Sequence, residues 1–87
     1  MPSPIKKATA VSAFLGNWEN KDEYGIHRLT FHSGSQAEYD GEWVGFSIED
    51  SAFVVDYEKY LFKVEGGILM IRWPGETAYR IFTRVKD

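Results

Sequence analysis

Residues 42–64 read EWVGFSIEDSAFVVDYEKYLFKV, and this stretch decides the fold class. Apolar and polar side chains alternate along it with a period of two, as they do in a β-strand that buries one face. Valine, isoleucine and aromatic residues carry the apolar positions, and these residue types suit a pleated, half-buried surface. The stretch therefore predicts three short strands joined by tight turns, over residues 42–49, 52–56 and 59–64.

The same pattern of short alternating segments and turns continues on both sides of this stretch. Towards the N-terminus, Trp18 anchors a first strand, and residues 26–32 and 36–40 form the next two. Towards the C-terminus, residues 68–73 and 77–85 form two more. Short turns rich in glycine, aspartate and serine separate these segments, so neighbours in sequence pair with each other. The chain therefore predicts an antiparallel meander of seven or eight short strands.

A meander of this kind leaves two sheet edges exposed unless it closes on itself. Closure into a small up-and-down barrel removes both edges, and the interior of a barrel of about eight strands is just filled by side chains. In the last strand, the alternation places Ile81, Thr83 and Val85 on one face with Tyr79. The large side chains predicted to fill the interior are Phe31, Phe46, Phe53, Phe62 and Tyr79.

Length and composition bound the organisation of the chain. Its 87 residues allow one domain, and 44% hydrophobic with 26% charged residues is typical of a globular protein. We assign residues 1–5, with two prolines, to a flexible N-terminus and residues 6–87 to a single barrel domain. Residues 6–15 predict a short N-terminal helix that serves as a lid or plug. No apolar run approaches the roughly 18 residues of a membrane helix, so we expect a cytoplasmic protein that binds no membrane.

Four short motifs resemble the strands of small bacterial lipocalin-like (calycin-type) β-barrel domains. One of them, residues 29–31 followed by a glycine-containing turn, resembles the second strand of that group. Residues 15–19, LGNWE, resemble the G-x-W opening strand of that group, and residues 42–53 resemble its middle part. Residues 79–85, YRIFTRV, resemble its last strand. The resemblance implies a barrel in which Trp18 closes one end and Arg84 packs across its ring. Full lipocalins are much longer than this chain, and their size creates the ligand cavity, so the short chain predicts a filled interior.

Residues that could carry catalysis or bind a metal ion are few. There is no cysteine, and no serine lies in a G-x-S-x-G motif. His27 and His32 lie five apart on one predicted strand, so they project to opposite faces and cannot share a metal ion. Glu38, Asp40 and Glu42 alternate across a glycine; they form either a carboxylate cluster on one face or a solvated polar face with a turn. We predict no catalytic residue, no cofactor and no metal site.

The net charge of −3 conceals an uneven distribution. Residues 29–58 contain seven acids and no lysine or arginine, whereas residues 59–87 carry a net charge of +3. A patch of one sign steers encounter with a partner of opposite sign. The alternation also places Trp43 on the outer face, among these acids. The residues predicted to bind a partner are Glu38, Asp40, Glu42, Trp43, Glu49 and Asp50.

The residues leave three functions open. The first is a non-enzymatic protein-interaction module of the inhibitor or immunity-protein kind, a monomer or weak dimer that binds a basic protein surface. The alternative is a miniature lipocalin-like carrier of a small apolar ligand. The third is a hydrolase-type enzyme that uses the clustered carboxylates. Binding of single-stranded nucleic acid is disfavoured, because the acidic middle would repel a phosphate backbone.

Overall fold

A computed structural model describes residues 13–85, and all regular elements in this range are β-strands. Two-residue turns join most of them, as the turn residues predict. The strands are β1 (Gly16–Asp22), β2 (Gly25–Phe31), β3 (Gln36–Tyr39), β4 (Glu42–Gly45), β5 (Ser47–Glu49), β6 (Ala52–Val55), β7 (Glu58–Glu65), β8 (Ile68–Arg72) and β9 (Arg80–Arg84).

The nine strands form one antiparallel sheet in the order β4-β3-β2-β1-β9-β8-β7-β6-β5. The strands at the two ends of this order, β4 and β5, are consecutive in the chain and are separated only by Phe46. The polypeptide thus crosses from one sheet edge to the other within one bent strand, which nearly closes the barrel. The backbone N–H of Phe46 donates to the carbonyl of Ser35 (2.9 Å), so the bend itself is hydrogen-bonded.

The predicted all-β antiparallel barrel is confirmed. The predicted strand over residues 42–49 is divided at Phe46, which is why the sheet has nine strands where the sequence predicts seven or eight. The strong turn signal at Asp40-Gly41 corresponds to a two-residue hairpin turn in which both residues have positive φ, 51° and 89°. This is the geometry that Asp-Gly favours, because its twist matches that of the flanking strands.

The barrel interior holds four of the five large residues that the alternation predicts. Phe31, Phe46, Phe53 and Phe62 are all buried in one aromatic core. The prediction for Tyr79 is wrong, because Phe82, which is fully buried, points inward from the last strand instead. The face predicted to turn inward with Tyr79 is the outer one, and Ile81 on it is half-exposed.

The last strand is out of phase with the prediction for a physical reason. Its inward face reads Arg80, Phe82, Arg84, and two arginines argue against burial when only hydrophobicity is considered. Both arginines lie at the ends of the barrel, where their planar heads cover tryptophan rings. Arginine can bury its stem and stack its guanidinium on an aromatic face while it stays hydrated at the rim.

The predicted N-terminal helix lies outside the described residues except for its last three, which form a turn. Within this turn, the Phe14 side chain is fully buried. Its ring centroid lies 5.0 Å from that of Phe31, 5.4 Å from that of Phe53 and 5.9 Å from that of Phe62. Edge-to-face contacts at these distances stabilise an aromatic core beyond simple burial. Phe14 therefore seals one end of the barrel.

Candidate functional site: an apolar cavity and its mouth

The barrel has two ends of different character. The closed end carries the turns at residues 32–35, 50–51 and 66–67 and is filled by Phe14 and Trp18, which are both fully buried. The indole N–H of Trp18 donates to the Phe14 carbonyl (2.8 Å), so the polar atom of this buried ring is satisfied.

Arg84 completes the closed end. Its guanidinium carbon lies 4.3 Å from the ring centroid of Trp18, the pairing that the family resemblance implies. Its Nη1 donates to the Leu15 carbonyl (2.7 Å) and its Nη2 to the Ala13 carbonyl (2.8 Å). Gly16 has a φ of 111°, and a Cβ at this position would lie 3.1 Å from Arg84 Nη1. The glycine is therefore required both for its backbone conformation and for the close approach of the guanidinium.

The other half of the barrel is not filled. A cavity of about 180 Å³ lies between β2, β3, β4, β6, β7 and β8, and it opens to solvent on one side. The interior is thus roomier than the chain length predicts. Small side chains at inward positions, Ala37, Val44 and Val55, leave this space. The deep walls are Leu29, Phe31, Ala37, Phe46, Phe53 and Ile71, all of which are buried.

Three half-buried residues of the cavity wall mark its mouth. Tyr39, Val55 and Trp73 each directly precede a turn at the open end, which carries the turns at residues 23–24, 40–41 and 56–57 and the segment 73–79.

Three aromatic rings meet at this mouth, and we call them the aromatic collar. The collar consists of Tyr39, Tyr60 and Trp73. The ring centroid of Trp73 lies 5.9 Å from that of Tyr39 and 5.5 Å from that of Tyr60. The hydroxyls of both tyrosines are protonated at neutral pH and can donate a hydrogen bond, and burial raises their pKa further above its ordinary value.

One charged pair touches the collar. The guanidinium carbon of Arg80 lies 4.1 Å from the ring centroid of Trp73. Glu76 accepts two hydrogen bonds from this guanidinium, 2.7 Å from Nη2 and 3.3 Å from Nε. The hydrogen bond from Arg80 lowers the pKa of the Glu76 carboxyl, and the same bond raises the pKa of Arg80. Arg80 also counteracts the effect of burial on the pKa of Tyr39.

A second polar cluster ties two turns together at the rim of the mouth. His27 Nδ1 lies 2.8 Å from a carboxylate oxygen of Asp40, and its Nε2 lies 3.1 Å from one of Asp22. Both ring nitrogens face acceptors, so both bonds form only when the ring is protonated. The hydrogen bond to Asp40 is the main cause that raises the pKa of His27. The ring also stacks on Tyr39 of the collar, with 6.1 Å between centroids.

Of the residues predicted to bind a partner, four lie on the β3–β4 hairpin. Trp43 is 63% exposed on the outer face and pairs across the hairpin with Glu38. Its ring stacks on that of His32, with 4.7 Å between centroids, and His32 Nε2 lies 2.8 Å from a Glu38 carboxylate oxygen. Glu42 pairs with Tyr39 beside the turn that contains Asp40. The turn therefore keeps the three predicted acids from lining one face of one strand.

The other two predicted residues lie apart from this hairpin. Glu49 ends β5, and Asp50 lies in the turn that follows it, at the closed end of the barrel. Glu49 contacts Lys59 of β7 (3.2 Å between Oε1 and Nζ). The structure therefore does not bring all six residues into one patch around Trp43.

The sequence predicts Trp73 at a barrel mouth, because this residue precedes the Pro74-Gly75 turn, but it does not reveal Tyr39, Tyr60 and Arg80 as residues of the mouth. The signal that could have identified the mouth is the position of its residues: Tyr39, Trp73 and Arg80 directly precede or follow turns that lie at one end of an up-and-down barrel. Among residues 13–85, no group of three or more histidine, aspartate and glutamate side chains is placed to hold a metal ion. Within the same range, no helix is long and apolar enough to span a membrane.

Comparison with known proteins identified no protein that is similar to this chain. No protein-family model matches the chain, and neither a curated protein nor a solved structure shows significant similarity to it. The nearly closed antiparallel barrel is compatible with a calycin-like fold. Function must therefore be inferred from this architecture and from the cavity inside it.

Proposed function

We propose that this barrel binds a small apolar molecule inside its cavity, as a miniature lipocalin-like carrier. The observation that carries the proposal is the apolar cavity of about 180 Å³ with an aromatic collar at its mouth. Ligand sites are typically concave and apolar with a few convergent polar groups, and here the two tyrosine hydroxyls and Arg80 are those groups.

The size of the cavity limits the ligand. An engineered apolar cavity of about 150 Å³ in another protein binds benzene. A cavity of about 180 Å³ therefore suits a molecule with one aromatic ring or a short alkyl chain. Filling such a space gains the dispersion contacts that the unfilled walls lack, which provides the driving force for binding.

The test is titration of the full chain with 2-phenylethanol, toluene and naphthalene, followed by tryptophan fluorescence and by amide chemical shifts. We expect the two single-ring compounds to bind with shifts that centre on the collar and the deep walls, and naphthalene to bind more weakly. If none of the three probes binds, the proposal is wrong.

Two adjacent valines provide a matched pair of variants. Val55 lines the cavity, whereas Val54 is its neighbour on the outer face of the same strand. Val55→Phe fills the cavity with a ring of its own and should abolish binding, while Val54→Phe adds the same bulk outside and should leave it intact. Equal effects of the two substitutions would show that the probes bind elsewhere.

A second candidate is the protein-interaction module that the charge distribution predicts. The specific observation that favours it is Trp43, a largely exposed tryptophan held by His32 and bordered by Glu38. Tryptophan is enriched among the residues that contribute most to binding energy in protein interfaces, and the rim around such residues is polar. We place the proposed interface on the outer face of the β3–β4 hairpin, for a partner with a basic surface.

This candidate is tested by comparing captured proteins among three immobilised variants and the unsubstituted chain. Trp43→Ala and Glu38→Lys should both lose a captured protein that the unsubstituted chain retains at low salt. Ile81→Ala, which removes a half-exposed apolar residue from β9, is the control and should retain it. If Trp43→Ala captures the same proteins as the control, this interface is wrong.

A further inference from the structure

Arg80 and Arg84 offer a comparison within one strand. Both lie on the inward face of β9, on either side of the fully buried Phe82, and both cover a tryptophan ring. At the closed end, Arg84 donates to two backbone carbonyls, which are fixed parts of the fold. At the open end, Arg80 donates instead to the carboxylate of Glu76.

Glu76 lacks the backbone constraint of a strand, unlike the residues that form the barrel wall. It lies in the segment between β8 and β9, outside any strand, and its backbone N–H closes a turn onto the Trp73 carbonyl (3.0 Å). Its side chain is about two-fifths exposed. A side chain in such a segment can rotate away from its partner at a small cost, because an exposed ion pair contributes little stability.

We infer that Arg80 is the binding site for the anionic head of an apolar carboxylic acid, and that Glu76 occupies this site when no ligand is bound. The inference rests on the proposed function, since the apolar body of the ligand would fill the cavity behind the collar. The ligand carboxylate would take the two guanidinium bonds that Glu76 now accepts, in the bidentate geometry that arginine favours.

The position of Arg80 supports a carboxylate rather than an amine. Its guanidinium lies against Trp73, a residue of the cavity wall, so a ligand whose body enters the cavity leaves its head next to this positive charge. The collar tyrosines add hydroxyl groups that can donate hydrogen bonds to a carboxylate. Acids also surround the collar: besides burial, the charges of Asp40 and Asp22 raise the pKa of Tyr39, and those of Glu58 and Asp56 raise that of Tyr60. Asp22 and Asp40 contact His27, whereas Glu76 is the acid that contacts Arg80. Salt at about 0.15 M partly screens the exposed charges.

The experiment compares three probes with the same body and different heads: phenylacetate, 2-phenylethanol and 2-phenylethylamine. Calorimetry and amide chemical shifts on the full chain give the dissociation constant of each probe. The quantity of interest is the ratio of alcohol to acid dissociation constants in each variant, because this ratio cancels effects on the cavity itself.

Glu76→Gln removes the competing carboxylate and keeps the shape of the side chain. We expect it to raise the preference for phenylacetate by roughly two- to fivefold, the worth of an exposed ion pair, without changing the affinity for 2-phenylethanol. Glu49→Gln is the matched control, because it also removes one acid from an exposed ion pair, with Lys59, on the outer surface. The control should leave both affinities unchanged.

Arg80→Met removes the proposed head site and keeps an apolar stem over the collar. It should weaken phenylacetate by roughly two- to fivefold, because the head then loses an ion pair as exposed as the one that Glu76 makes, and it should leave 2-phenylethanol binding in place. Binding of the alcohol also reports that the variant is folded. Since Glu76→Gln tests the same site from the opposite direction, the inference does not depend on the stability of the Arg80 variant.

The outcomes separate the two proposals. If the alcohol and the acid bind equally in all variants, or if the amine binds best, the anionic head site is wrong while the apolar cavity function stands. If none of the three probes binds, both proposals fail. If Glu76→Gln and Glu49→Gln change the preference equally, the effect is one of net charge, and Glu76 does not occupy the head site.

Discussion

Arg84 illustrates how one residue can close a barrel end. It joins three features that are distant in sequence: the ring of Trp18, the carbonyls before β1 and the last strand. We expect Arg84→Ala to lower the free energy of unfolding by about 1–3 kcal/mol, because the cation–π contact and two hydrogen bonds are lost together. Urea denaturation followed by fluorescence measures this loss.

The control for this prediction is Arg28→Ala. Arg28 is a largely exposed arginine whose head contacts Glu19 (3.1 Å), so its removal should change stability by less than about 0.5 kcal/mol. A loss in Arg84→Ala no larger than in Arg28→Ala would contradict the structural role of the closed-end pair.

The cluster around His27 predicts that the stability of the fold depends on pH. The sign of this dependence follows from the directions in which the pKa values of His27, Asp40 and Asp22 are shifted. The folded-state pKa of His27 is raised above 6.5, chiefly by the bond to Asp40. Its contribution to stability is therefore fully present below about pH 6.5 and is lost as pH rises through the raised value. The pKa values of Asp40 and Asp22 are lowered from 3.8, so their contributions are lost as pH falls through the lowered values. The cluster stabilises the fold most between about pH 4 and pH 6.5.

The measurement is the free energy of unfolding at about pH 5.5 and about pH 9, for the unsubstituted chain and for His27→Gln. Glutamine keeps one donor and does not titrate. The unsubstituted chain should lose its advantage over the variant at the higher pH. A constant difference between the two proteins across this range would mean that protonation of His27 does not hold the two turns together.

At the scale of the element, the β6–β7 turn carries an unusual residue. Asp56 and Tyr57 both have positive φ, 50° and 69°, and the side chain of Tyr57 is fully exposed. The equivalent second position of the β3–β4 turn is Gly41. A side chain in this conformation costs about 1–2 kcal/mol, partly offset by the greater chain entropy that glycine has when unfolded. Tyr57→Gly should therefore stabilise the barrel by about 0.5–1 kcal/mol.

The reciprocal variant tests the same physics with the opposite sign. Gly41→Ala places a Cβ on a residue with a φ of 89° and should destabilise the barrel by about 1 kcal/mol. Thermal unfolding of both variants provides the measurement. Destabilisation by Tyr57→Gly would instead indicate that the tyrosine ring contributes contacts that outweigh its backbone strain.

The strands also show where sequence reasoning succeeds and where it ends. Alternation places Phe31 inside correctly, because its neighbours Thr30 and His32 are polar and only one register buries the apolar face. It fails in β9, where an apolar Ile81 outside and two arginines inside reverse the usual preference. Only the tertiary contacts of those arginines with tryptophans at the barrel ends decide the phase.

At the scale of the whole molecule, the charge pattern along the chain becomes a pattern around the barrel. The acidic middle of the sequence forms β3 to β6, which flank the point where the two sheet edges meet, and the basic C-terminal third forms most of β7 to β9. An up-and-down topology preserves such segregation, because neighbours in sequence remain neighbours in space. The cavity could not be predicted in the same way, because its volume depends on how small inward residues on several strands, such as Ala37 and Val55, lie opposite each other.

Closure of the barrel depends on the bent strand at Phe46, and this makes a prediction about cooperativity. Phe46 packs on Phe31 and Phe53, with 5.6 Å and 5.3 Å between ring centroids, and links β4 to β5. Phe46→Leu should cost about 1–2 kcal/mol of global stability, and so should Phe62→Leu in the same core. The two should differ locally: only Phe46→Leu weakens the point where the sheet edges meet.

Hydrogen exchange distinguishes the two variants. In Phe46→Leu, amides of β4 and β5 should lose more protection than those of β1 and β2, because these edge strands open locally before the barrel unfolds. In Phe62→Leu, protection should fall by a similar amount in all strands. If Phe46→Leu lowers protection uniformly, then β4 and β5 open only with the rest of the sheet, and the barrel behaves as a single cooperative unit despite the bend.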